Sequence, residues 1–107
     1  MSRSSEAVVR LPADVDLHAR PAARFVRMAM GFDSAIRVGA GDRDADAKSL
    51  LAVLALGARR GTLLRLTAEG GDANAAVEAL CACVAGLEEG EAAGKRTEQA
   101  GDLRSVG

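Results

Sequence analysis

Residues 34–68 read SAIRVGAGDRDADAKSLLAVLALGARRGTLLRLTA, and their patterning changes five times. Ile36 and Val38 alternate with Ser34 and Arg37, the period of a half-buried strand. The run GAGD, residues 39–42, is a turn. Residues 43–47, RDADA, are assigned as the returning arm of a hairpin. Residues 49–56, SLLAVLAL, then form a compact apolar helix opened by Ser49, a favoured N-cap, and closed by Gly57. After the turn ARRG, residues 62–68 (TLLRLTA) are the most strand-like segment of the chain. A hairpin, a short helix and a further strand thus follow one another within 35 residues.

The flanks complete the pattern. On the N-terminal side, AVVRL at residues 7–11 is a short β-branched run closed by Pro12, and a loop follows to Leu17. From Ala19 to about Met30, Ala22, Phe25, Val26 and Ala29 recur at helical spacing, with Arg20, Arg24 and Arg27 on the other face and Gly31 as the stop. On the C-terminal side, Gly70 and Gly71 end the strand. Asp72 is expected to cap a helix carrying Ala76, Val77, Leu80, Val84 and Leu87. The order is β-α-β-β-α-β-α, which implies a two-layer α+β domain: one meandering sheet with helices on one face and solvent on the other. The expected organisation is a flexible segment 1–5, a folded domain 6–88 and a disordered tail 89–107, where apolar residues are few and aperiodic.

Composition narrows the function. The chain has 107 residues, enough for one domain with a modest core, and its aromatics amount to two Phe. A net charge of −1 leaves no basic footprint for nucleic acid, and there are too few aromatics for base stacking. No apolar run approaches the roughly 20 residues of a membrane span, and the N-terminus lacks the apolar core of a secretory signal, so a cytoplasmic location is expected. Cys81 and Cys83 point about 200° apart on a helix and have no second pair, so neither a metal site nor a disulfide is expected of them.

The chemistry concentrates at DVDLHARPAARFV, residues 14–26, which holds His18, the single histidine of the chain. If His18 is the N-cap of the following helix, the first-turn N–H groups of Ala19 and Arg20 open beside its ring. Pro21 sits where no N–H is needed. Helix N-termini attract anions, and the Arg20 guanidinium can hold two oxygens of a phosphate. Neutral imidazole is a competent nucleophile near pH 7. Neither a carboxylate pair, a metal cluster nor a Gly-rich nucleotide loop is present to support turnover on a small substrate, so a phosphoryl carrier with a covalent phosphohistidine is expected, without metal or cofactor. On α-helical spacing, Leu50, Val53 and Leu54 cannot all face one narrow stripe. Leu51, with part of Leu50 or Leu54, is therefore expected at the surface, where an apolar patch suits a partner. Arg24 and Arg27 fit equally well an ordinary solvated face or the basic rim of such a patch.

The run LHARPAARFV, together with GFDSAIRV, AKSLLAVLALGARRGT and LTAEGGDANAAVEAL in this order and spacing, resembles the histidine-containing phosphocarrier (HPr) family of the sugar phosphotransferase system. The resemblance covers about residues 7–87. It implies an open-faced β-sandwich, a four-stranded antiparallel sheet with three helices on one face. It implies a monomer phosphorylated on His18 through Nδ1 by phosphorylated Enzyme I, with Arg20 stabilising the phosphate and the group passing to EIIA domains of sugar transporters. It implies docking of both partners on Arg24, Arg27, Leu50, Leu51 and Leu54. It also matches Ser49 to a regulatory serine modified by a dedicated kinase in some lineages. A phosphate at a helix N-terminus is well tolerated by the dipole while adding roughly two negative charges.

The chain departs from the family in three places. Asp16 stands where glycine is usual, and its carboxylate is expected to raise the His18 pKa and repel an incoming phosphoryl group. Ala52 and Leu54 make the second helix more apolar than usual, and the tail has no typical counterpart. Within the family the alternative is a regulatory paralogue, either of a nitrogen-type system or acting through phosphorylated Ser49 on a transcriptional regulator. An unrelated α+β ligand- or RNA-binding domain leaves the His-Ala-Arg-Pro run unexplained.

Overall fold

The computed structural model describes residues 3–87. Seven elements occur in the expected order: β1 (Ser4–Arg10), α1 (Ala19–Met30), β2 (Ala35–Ala40), β3 (Arg43–Asp46), α2 (Leu50–Ala55), β4 (Leu63–Glu69) and α3 (Ala73–Ala85). The strand β1 begins three residues before the β-branched run, so Ser4 and Ser5 of the segment expected to be flexible pair with Glu69 and Ala68. The tail 89–107 lies outside the described residues.

The four strands form one antiparallel sheet in the order β1-β4-β2-β3, which is not a meander. The hairpin β2–β3 is present, but its turn is tighter than the expected 39–42: Gly39 and Ala40 pair with Asp44 and Arg43, leaving a two-residue turn in which Gly41 takes φ +63°. The difference lies at β1. It is joined to β2 through α1 instead of a tight turn, so the two run parallel and are not neighbours. The strand β4 returns between them and bonds to both, placing Ala7 opposite Leu66 and Val38 opposite the same Leu66. A helical crossover leaves a gap that a later strand can fill, and local patterning does not show it.

The core lies between the sheet and the helices. Leu64, Leu66 and Ala68 of β4 and Ile36 and Val38 of β2 are buried, while Leu63, Arg65 and Glu69 face solvent. Against this face α1 sets Ala22, Phe25, Val26 and Ala29, and α3 sets Ala76, Val77, Leu80 and Val84. These are the stripes the spacing predicts, except that α3 ends at Ala85 and Leu87, though buried, lies beyond the helix. Phe25 is the largest fully buried side chain, and its truncation to Ala is expected to cost about 3–5 kcal/mol. Cys83 joins the core and Cys81 is half-buried; both are thiols, and burial pushes the Cys81 thiol up.

Two expected helix punctuations work differently. Gly31 ends α1 with φ −78°, in the right-handed region, so no left-handed glycine is needed there. Asp72 occupies the N-cap position of α3 but makes no side-chain cap bond. Its carboxylate instead accepts from the backbone N–H groups of Asp33 (2.8 Å) and Ser34 (2.9 Å) and from the Ser34 hydroxyl. Ser34 is 1 % exposed, the one buried polar residue of the described core, and Asp72 satisfies it. This latch ties the start of β2 to the start of α3. It also explains Gly70, whose φ is +146° and where a Cβ would meet the Ser34 Cα at 2.8 Å.

Candidate functional site

His18 is the N-cap residue of α1, with extended backbone (φ −109°, ψ −158°). Its carbonyl accepts the first helical bond from Ala22 N at 2.8 Å, and its own N–H donates to the Asp16 carbonyl at 2.9 Å. The imidazole makes no cap bond to the helix and is exposed. The N–H groups of Ala19 and Arg20 therefore have no acceptor within the helix and lie at the end where the ring emerges. The first turn carries no acidic residue, which would otherwise compete with an anion there. Arg20 is exposed in this turn, and Pro21 packs inward. The structure thus brings His18 and Arg20 to one helix end.

The loop that delivers His18 rests on the segment between α2 and β4. Leu17 N donates to the Ala58 carbonyl at 3.0 Å, Gly61 N to the Pro12 carbonyl at 3.2 Å, and Leu11 N to the Thr62 carbonyl at 2.9 Å. Val15 and Leu17 are buried beneath the loop. Asp16 belongs to this contact. One of its carboxylate oxygens accepts from Arg60 N at 2.6 Å and lies 3.5 Å from the Arg60 Nε. The Arg60 N–H above all, with the guanidinium, holds the Asp16 carboxyl below the usual carboxylate range. Its negative charge is therefore engaged by Arg60. Sequence reading placed Asp16 near the site but missed this partner, which lies 44 residues away and leaves no local signal.

Ser49 is the N-cap of α2, and its hydroxyl accepts from Ala52 N at 3.3 Å. On the same short helix Val53 is buried, Leu51 is 80 % exposed, Leu50 is 39 % exposed and Leu54 is half-buried. The surface division follows the helical spacing. Arg24 and Arg27 are both exposed on α1 and border an open depression of about 440 Å³ with Met28, Gly31, Phe32 and Cys83. Among the described residues no group of His, Cys, Asp and Glu side chains could hold a metal ion, and no helix is long and apolar enough to cross a membrane.

A small open-faced α+β sandwich that offers an imidazole at an open helix end has the construction of a phosphoryl carrier. A family model described as the PTS HPr component phosphorylation site matches residues 5–86. The phosphocarrier protein HPr of Haemophilus influenzae is 44% identical over 80 residues, covering 75% of this chain and 94% of its own. The multiphosphoryl transfer protein of Vibrio cholerae is 45% identical over 93 residues, which span 83% of this chain and 23% of that longer protein. Among solved structures, HPr from Thermoanaerobacter tengcongensis matches with a TM-score of 0.72 at 36% identity, covering 76% of this chain and 91% of that one. The chain belongs to the HPr family, and it is a phosphocarrier of the phosphotransferase system.

Proposed function

We propose that His18 carries the phosphoryl group, accepting it from phosphorylated Enzyme I and handing it to EIIA domains of sugar transporters in the cytoplasm, with the protein acting as a monomer. The observation that carries this is the position of His18: an exposed N-cap whose side chain leaves the first-turn donors of α1 open. The Nδ1 lone pair of the neutral imidazole attacks phosphorus. As the new P–N bond forms, the bond from phosphorus to the donor breaks and its electron pair leaves with the donor. The non-bridging oxygens meet the N–H groups of Ala19 and Arg20 and the Arg20 guanidinium, which lower the charge cost without burying the group. Onward transfer is the same step in reverse.

Arg24 and Arg27 on α1 and Leu50, Leu51 and Leu54 on α2 form the docking surface in this reading, a basic rim beside an exposed apolar patch. Ser49 is a second phosphorylation site, used by a serine kinase or read by a transcriptional regulator. Its place at the N-terminus of α2 suits a phosphate, and the added charge falls on the same helix as Leu50 and Leu51. Incubation with phosphoenolpyruvate and Enzyme I, followed by intact mass analysis, is expected to give one acid-labile phosphoryl adduct. An adduct that persists in His18→Ala overturns the assignment.

A further inference from the structure

The Asp16–Arg60 contact is not needed to place the His18 loop. Three backbone bonds already join that loop to residues 58–62, between Leu17 and Ala58, Pro12 and Gly61, and Leu11 and Thr62. An ion pair whose guanidinium side chain is 63 % exposed adds little stability of its own. Its larger consequence is for charge. Asp16 lies two residues before His18, and its backbone carbonyl accepts the His18 N–H. A bare carboxylate at that place opposes the arrival of a phosphoryl dianion and its negatively charged donor.

We propose that Arg60 is a positioning residue of the phosphorylation site: its guanidinium neutralises the Asp16 carboxylate and holds it on the α2–β4 loop, so that no bare anion stands beside His18 when the phosphoryl group arrives. This rests on the assignment of His18 as the acceptor. The Arg60 backbone N–H does most to hold the Asp16 carboxyl below its ordinary range; the Arg60 guanidinium and, more weakly, the adjacent Arg59 act in the same sense. The pair is therefore a charge mask that accompanies Asp16, and Arg60 acts through Asp16 without touching the reacting atoms.

The Arg60 N–H bond to Asp16 comes from the backbone and survives substitution, so side-chain variants isolate the charge. The rate of His18 phosphorylation by phosphoenolpyruvate and Enzyme I is measured for five proteins. Arg60→Ala is expected to be about five- to tenfold slower than wild type, the scale of one unmasked charge near a surface site. Arg60→Lys, which keeps the cation, returns the rate to within about twofold. Asp16→Asn is about twofold faster than wild type, and Asp16→Asn combined with Arg60→Ala recovers most of the loss caused by Arg60→Ala. A double variant as slow as Arg60→Ala overturns the proposal, because Arg60 then acts on the partner or on loop structure directly. Wild-type speed in Arg60→Ala also overturns it, while leaving the His18 assignment intact. Phosphorylation at a residue other than His18 overturns both.

Discussion

The N-termini of α1 and α2 are built from opposite choices. Ser49 closes α2 with its own side chain, accepting from Ala52 N, and so removes one of the helix's open donors. His18 opens α1: its backbone begins the helix, but its side chain takes no donor from the first turn. The six-residue helix α2 needs its cap, because so short a helix has little stability of its own. The twelve-residue α1, anchored through Phe25 and its neighbours, can leave donors unused. First-turn donors not taken by a cap are the groups through which helix N-termini attract anions. The two helix ends thus differ in what the capping side chain does: Ser49 takes a first-turn donor, and His18 takes none.

The comparison is broken most directly at His18. His18→Ala is expected to abolish the acid-labile adduct entirely, and His18→Ser, which supplies a cap acceptor, to abolish it while raising stability by about 0.5–1 kcal/mol. Denaturant unfolding with parallel phosphorylation assays reads both. If His18→Ser is less stable than wild type, α1 is not an open helix end. Arg20→Ala tests the phosphate side of the same end; loss of one charged donor is expected to slow phosphorylation by about 10- to 100-fold with little change in unfolding midpoint. Ser49→Ala inverts the pattern. It is expected to cost about 1 kcal/mol of stability while changing His18 phosphorylation by less than about twofold.

The smallest effect concerns the third helix end, where Asp72 turns from α3 to the start of β2. Its carboxyl group is held below the ordinary value, chiefly by the Ser34 hydroxyl and then the Asp33 N–H. The folded state therefore binds that proton less readily than the unfolded state. The stability this contributes is present above about pH 4 and is lost as pH falls through the lower folded-state value. Asp72→Asn is expected to be less stable than wild type near neutral pH, with the gap narrowing on acidification, as followed by thermal unfolding from pH 7 to pH 3. A gap that widens in acid contradicts the latch.

What was legible in the sequence was what is local. The stripe of Ala22, Phe25, Val26 and Ala29, the cap at Ser49, and the hairpin turn at Gly41 each depend on residues within a few positions of one another. The division of α2 between buried Val53 and exposed Leu51 was equally readable from helical spacing. Long-range choices were not. The insertion of β4 between β1 and β2 depends on a crossover that leaves no periodic trace. Asp72 has the sequence context of a cap, and the buried Ser34, 38 residues away, captures its side chain instead. Asp16 was readable as an acid close to His18 in the chain, but Arg60, 44 residues away, could not be placed beside it from spacing alone. The placement of His18 and Arg20 at the start of α1 was readable because it needed only one helix end.

Backbone amide NMR of the protein before and after phosphorylation by phosphoenolpyruvate and Enzyme I tests the open helix end most directly. The largest downfield shifts are expected at the N–H groups of Ala19 and Arg20, with the N–H groups of Leu50, Leu51 and Ala52 at the capped end of α2 nearly unmoved. Shifts absent from Ala19 and Arg20, or concentrated at the start of α2, would contradict a phosphate held by the end of α1.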